Sequence, residues 1–392
     1  MKLLKFYLFS FFEGFVPVYP VYLIMFTERG FSLMDVSILM MFWALPVVIL
    51  ELPTGFLADL WSKKKMMVIG MVLKALGFFL WLVSGSFLFA VLGFFCWAVQ
   101  ESFCSGSRQA LLYEAVTHEN VSISYEKAAG ICSMIEMAGI AFAMITGGIL
   151  YAYSPTLTLL ASSAAALISA FIGLSLKEYK NEEAPEEGFK DFFKSIFTLI
   201  KTKPALLTIL AASGLAGGAY GLVDEYDGLW AHDNYGVPLV FIGVWSAIRF
   251  GVQGLGSFFA ERFSFDSADD KKKKKTVPLL VLAGLVFAST VFLPPVIGIP
   301  LYFLWYGLMA LFSVVLEAEL QRLVTSDVRS TMLSLSSFIV TLSAFVLAPL
   351  FGLVSERFGL GGIIVLTGAV SLLGAVPFIV TLPARPHYKP LP

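Results

Sequence analysis

Twelve apolar stretches, each about as long as a bilayer is thick, constrain this chain more than any other feature. A spanning helix needs roughly 20 mostly apolar residues. The segments at about 4–27, 34–58, 66–84, 87–113, 125–152, 156–176, 205–231, 238–262, 277–297, 299–323, 331–354 and 361–382 meet that need. Composition agrees, since only 14% of the 392 residues are charged where soluble domains carry about a quarter. The expected fold is all-α and integral to the membrane.

The first segment opens "MKLLKFYLFSFFEGF" and imitates a signal peptide, but it has no small-residue cleavage site and continues apolar to Phe26. It reads as a retained first transmembrane helix. Between segments 6 and 7 lies the only long polar stretch. Its second part sets Phe189, Phe192, Phe193, Ile196 and Ile200 at helical spacing against Lys190, Lys194 and Lys201. That pattern predicts a basic amphipathic helix on the membrane surface. Cys96, Cys104 and Cys132 fall inside apolar segments and read as small packing residues.

Basic residues orient the chain. Lys63–Lys65, Lys127, the 177–203 linker and Lys271–Lys275 lie on one side, whereas only Arg29 and Arg357 lie on the other. The positive-inside rule therefore predicts cytoplasmic termini and a multi-pass cell-membrane protein. The halves also echo each other. Asp59 and Glu261 are 202 positions apart, as are Lys127 and Arg329. A duplicated unit follows: an N-terminal six-helix bundle over 1–176, a linker over 177–204 and a second six-helix bundle over 205–392.

Gly55, Leu57, Ala58, Asp59 and Lys63–Lys65 form a signature, G-x-L-A-D-R-x-G-R-K in outline, in which Leu60 and Ser62 depart from the pattern. Here the sequence resembles the major facilitator superfamily. "SDVRSTMLSL" around Arg329 is similar to the start of that family's helix 11, and "SGSRQALLYE" resembles the inner end of helix 4 in its drug- and metabolite-transporter branches. The resemblance implies twelve transmembrane helices in two pseudo-symmetric bundles, a central cavity and alternating access. It implies that Asp59 latches one state, with Glu114 a second carboxylate nearby. Gly55, Glu261 and Arg329 join this gating set by their place in the motifs. The antiporter pattern G-P-x-x-G-G is incomplete here, since "AMITGG" keeps only Gly147 and Gly148.

Charges deep in a bilayer cost at least about 2.5–3.5 kcal/mol each, so their positions point to function. Glu13, Glu101 and Glu136 sit in the middle of segments 1, 4 and 5, and suit proton carriage, cation binding or both. Arg249 in segment 8 needs a partner, for which Asp224, Glu225 and Asp227 are candidates. They lie towards the outer end of segment 7, where the resemblance implies a gate, so Asp224 and Asp227 join the gating set; an unpaired Arg249 suits a substrate carboxylate instead. Glu317 and Glu319 suit coupling, or an inner gate with Arg108 or Arg322. Glu51 and Lys74 reach similar depth and predict a structural ion pair. Helix 7 carries Gly214, Gly217, Gly218 and Gly221, and helix 5 carries Gly139, Ala143 and Gly147, at spacings that permit close packing.

No metal-ligand spacing, phosphate-cradling loop or nucleophile triad appears, so the chain reads as a non-enzyme without cofactor or nucleic-acid partner. The expected partners of the single-chain unit are a small-molecule substrate, protons and the bilayer. The reading is proton-coupled export of a small amphipathic or cationic organic compound. An importer of a small metabolite anion, a lipid flippase and a non-transporting receptor stand as alternatives.

Overall fold

The computed structural model describes residues 3–60, 62–83, 85–118, 123–178, 204–260, 270–323 and 329–381. Side chains at 51–60 and around 329 lie outside that description, as does Glu261. The amphipathic helix expected in the linker also falls outside it.

Thirteen α-helices are described: α1 (Leu4–Gly14), α2 (Tyr22–Glu28), α3 (Leu33–Leu60), α4 (Lys63–Val83), α5 (Phe87–His118), α6 (Tyr125–Tyr153), α7 (Pro155–Leu174), α8 (Pro204–Glu225), α9 (Asp227–Tyr235), α10 (Ile242–Phe259), α11 (Asp270–Ser289), α12 (Pro295–Leu323) and α13 (Arg329–Thr381). Eight carry an apolar stretch long enough to cross a membrane. The twelve expected segments map onto this set with three differences.

First, segment 1 is not continuous. Pro17 and Pro20 lie between α1 and α2, where each lacks an amide hydrogen and obstructs the carbonyl four residues back. The freed backbone is compensated from a neighbour, since Val18 N donates to Ser162 Oγ at 3.0 Å. Second, segment 7 is interrupted at Tyr226 and runs on as α9 to Tyr235. Third, segments 11 and 12 run together in α13 and are separated only at Gly359, whose φ of 61° and ψ of −159° suit glycine alone.

By packing, the chain divides into two compact units. One comprises 1–186, 225–248 and 348–356; the other comprises 187–224, 249–347 and 357–392. The first is built around a core in which Phe6 and Phe9 of α1 pack with Met67 and Met71 of α4 and with Ala166 and Ala170 of α7. Small residues bring α1 against α6: a Cβ on Gly139 would strike the Phe11 carbonyl, and one on Gly147 the Pro17 carbonyl. In the second unit Phe287 of α11 stacks on Trp305 of α12, with ring centroids 3.7 Å apart.

Candidate functional site

A charged cluster lies inside the first unit. Glu13 ends up only 7% exposed near the last turn of α1. Arg108 of α5 reaches it at 2.5 Å, and the same nitrogen reaches Glu136 of α6 at 2.9 Å. Gln100, two turns earlier on α5, donates from Nε2 to Glu13 Oε1 at 3.3 Å. Lys74 of α4 donates to the Glu13 carbonyl at 3.1 Å and lies 5.8 Å over the Trp97 ring. Glu101 is exposed, yet close enough for its charge to act on Glu13.

Charge is nearly balanced here. Two carboxylates, Glu13 and Glu136, face two cations, Arg108 and Lys74, and Glu101 adds one further negative charge. A buried carboxylate alone would be strongly disfavoured; one arginine serving two makes both tolerable. Within this unit the described ion-pair partners of Arg108 are Glu13 and Glu136. Lys74 makes its described contacts with α1 and α5; its expected partner Glu51 has a side chain outside the described set.

At the end of the same unit that the lysine distribution predicts to be cytoplasmic, Lys63 is buried, and its ammonium lies 2.9 Å from Glu114. Lys63, a topology signal in the sequence, is thus also the described partner of Glu114. The physical reason is position: Lys63 opens α4, where the end of α5 covers it. Asp59 and Gly55 lie on the last turns of α3, with their side chains undescribed.

The opposite end of the unit brings the interrupted helices together. Glu225 accepts hydrogen bonds from both Tyr19 (3.2 Å) and Tyr22. Tyr226 at the interruption pairs its hydroxyl with Ser37 at 2.6 Å, and Trp245 donates to Asp227 at 2.7 Å. Tyr22 is seated among Trp81, Phe94 and Trp97. Tyr151 donates to Glu28, and Arg29 donates to the Trp81 carbonyl at 2.7 Å. Just beyond, burial raises the Asp233 carboxyl above its ordinary range, with His232 opposing and Glu28 adding to the effect.

Sequence reasoning overlooked Tyr19, Tyr22 and Gln100, and considered Glu225 as a partner for Arg249 in an outer-gate stretch rather than as an acceptor for tyrosines. The signal was present in "PVYPVY", an apolar segment broken by prolines with tyrosines between them. A Tyr22→Phe substitution keeps the ring packing and removes one hydrogen bond to a carboxylate. Thermal unfolding of the purified protein should show a loss of about 1.5–3 kcal/mol; unchanged stability would mean that the bond contributes nothing.

In the second unit Arg249 is nearly fully buried and pairs with Asp224. The guanidinium carbon also lies 5.0 Å from the Tyr306 ring centroid, and Gln253 donates to Tyr220 at 2.5 Å. Of the three acids weighed for Arg249, the described pair is with Asp224. Glu317, on α12, is exposed to a cavity bounded by α8, α12 and α13. Among the described residues, no group of three His, Cys, Asp or Glu side chains is placed to hold a metal ion.

Discontinuous helices, buried charges satisfied across helices and an all-helical membrane architecture define a polytopic secondary transporter. The chain matches the sequence profile of the Major Facilitator Superfamily over residues 4–319 and belongs to that family. It is a multi-pass membrane transport protein and not an enzyme. Among characterised relatives, the quinolone resistance protein NorA of Staphylococcus aureus (strain MRSA252) is 26% identical over 243 residues, 59% of this chain and 60% of that protein. The match therefore spans three fifths of the relative's length. The fold is shared with the nucleoside transporter NupG, at a TM-score of 0.80 and 14% identity over 97% of this chain and 98% of that one. It is shared equally with a bacterial homologue of the human lysosomal transporter Spinster in an inward-facing, unoccupied conformation, at 0.79 and 15% over 97% and 96%.

Proposed function

We propose that this transporter exports small amphipathic or cationic organic compounds in exchange for protons, by alternating access. The observation that carries the reading is the pair of carboxylates, Glu13 and Glu136, sharing Arg108 inside the membrane. With Glu101 counted, the cluster holds one negative charge more than its cations neutralise. A proton or a cationic cargo can meet that surplus, but the two together would overshoot it. Competition of this kind is the electrostatic basis of antiport. Helices α1, α5 and α6 converge on the cluster, so a change in its charge acts on three elements at once.

The distant likeness to a quinolone resistance protein supports export and an amphipathic cargo. The anion-importing alternative rests on Arg249, whose guanidinium is engaged by Asp224; that pairing favours a structural or gating role. We place the termini and the Lys63 end of the first unit in the cytoplasm, from the distribution of lysine and arginine. The tyrosine–Glu225 contacts then belong to the outer end, where they hold that side shut. Asp59, Gly55, Glu261 and Arg329 retain the latch roles that the family motif implies.

Purified protein in liposomes with an imposed pH gradient tests the reading. A fluorescent organic cation should be driven against its gradient, with counterflow of protons. Glu13→Gln should lower gradient-driven accumulation by about tenfold or more, in line with the loss of one charge-assisted contact. Transport indifferent to the gradient in the wild type would overturn proton coupling.

A further inference from the structure

Helix α1 stops at Gly14, about midway along the first apolar segment, with Pro17 and Pro20 just beyond it. The last carbonyls of a helix have no partner within it, and together they form its negative end. Inside a membrane such an end attracts a cation, and the broken helices of transporters use it to hold one. Here the chain supplies the cation itself. Phe15 N and Val16 N return to the Phe11 and Gly14 carbonyls, both at 3.0 Å, and the Glu13 carbonyl receives the Lys74 ammonium at 3.1 Å.

Lys74 reaches that point from a fixed platform. A Cβ on Gly77 would strike the Gly93 carbonyl, so α4 lies directly on α5. The ammonium also lies 5.8 Å from the centroid of the Trp97 ring, which Phe78 and Phe94 brace at 5.4 and 6.4 Å. A carbonyl oxygen, a negative helix end and an aromatic face together suit a primary ammonium. Lys74 is only 5% exposed, and these contacts make its burial tolerable. The carbonyl belongs to Glu13, so Lys74 sets the point from which the Glu13 side chain reaches Arg108 and Gln100.

We propose that the C-terminal end of α1 is a site for a small primary ammonium, filled by Lys74 as a tethered occupant. Lys74 is thereby a positioning residue for Glu13, acting through its backbone. A free alkali cation is not needed at the break in this helix, because the cation comes with α4. The site stands apart from antiport; its bearing on coupling rests on the reading that Glu13 carries the proton.

The test is chemical rescue of purified full-length protein in nanodiscs. Lys74→Ala removes a propylammonium group, and n-propylammonium is the probe. The variant should unfold roughly 2 °C or more below the wild type, and the amides between Glu13 and Tyr19 should take up deuterium faster. Propylammonium should reverse both changes at a concentration about tenfold or more below that needed of 1-propanol or sodium. The alcohol has the shape without the charge, and sodium the charge without the stem. Lys74→Met fills the space and should not respond. In a Lys74→Ala, Glu13→Gln double variant the response should persist, since the backbone carbonyl remains. Absence of rescue, rescue matched by 1-propanol or sodium, or a variant that stays unfolded with the amine present overturns the inference. So does equal rescue of Lys74→Met. Loss of rescue in the double variant overturns it as well, because the amine would then be meeting the carboxylate and not the helix end. If rescue holds and liposomes show no proton counterflow, antiport fails while the site stands. If protons are exchanged and the amine has no effect, the site alone falls.

Discussion

Removing Arg108 should destabilise the protein by about 3–5 kcal/mol, the usual consequence of stripping one partner from a buried ionic group. Arg108→Ala leaves Glu13 and Glu136 facing each other with Lys74 as the nearest described cation, bound to a backbone carbonyl rather than to a carboxylate. The variant should unfold at markedly lower temperature and should not accumulate substrate. Adding Glu136→Gln removes one of the two orphaned charges, so the double variant should recover part of the loss. Contacting charges in one network couple by about 0.5–3 kcal/mol, which thermal unfolding of all four members of the cycle can resolve. Strict additivity of the two substitutions would mean that Arg108 and Glu136 act independently, and the shared-arginine mechanism would fail with it.

A methyl group placed on Gly243 should be nearly as damaging to transport, for a steric reason. A Cβ there would overlap the Met144 carbonyl of α6, and the reciprocal contact places Gly148 against the Leu239 carbonyl. Both obstacles are backbone atoms, which cannot rotate aside as a side chain would. Overpacking of this kind costs about 1–3 kcal/mol, enough to shift a two-state equilibrium roughly 5- to 150-fold. With the orientation and closure proposed above, Gly243→Ala should depopulate the closed outer end and raise the labelling of a cysteine introduced at Ser154 by an impermeant thiol reagent. Gly254→Ala on the same helix meets open space and should leave labelling unchanged. Equal labelling in the two variants would show that the α6–α10 approach does not govern outer closure.

These predictions depend on features that were legible in the chain to very different degrees. The run lengths revealed the helices because hydrocarbon thickness is a single external ruler. The mid-segment acids could be picked out by the same logic, since a charge at that depth stands out against apolar neighbours. The loop motif carried the family, which the profile over residues 4–319 establishes. Breaks inside helices were harder to see. "PVYPVY" contains two prolines, but hydropathy does not fall there, so segment 1 read as one helix when it is two.

Pairing was harder still. The sequence shows that Arg108 lies in segment 4 and Lys63 in a basic loop, but not that Arg108 joins Glu13 and Glu136 or that Lys63 is buried on Glu114. Depth along the membrane normal can be counted from a loop, residue by residue. The direction a side chain faces around its helix depends on which neighbour covers it.

Length, hydropathy and charge distribution thus determined by themselves that the chain is a helical membrane protein, and the loop motif pointed to its family, because each depends on local composition or spacing. Tertiary structure alone decided that Glu13, Arg108 and Glu136 form one cluster and that Glu225 receives Tyr19 and Tyr22. Those groupings join residues from 28 positions apart, as Arg108 and Glu136, to 206 apart, as Tyr19 and Glu225. They arise from helix contacts in three dimensions, where close approach of backbones at small residues selects one partner among several of equal depth.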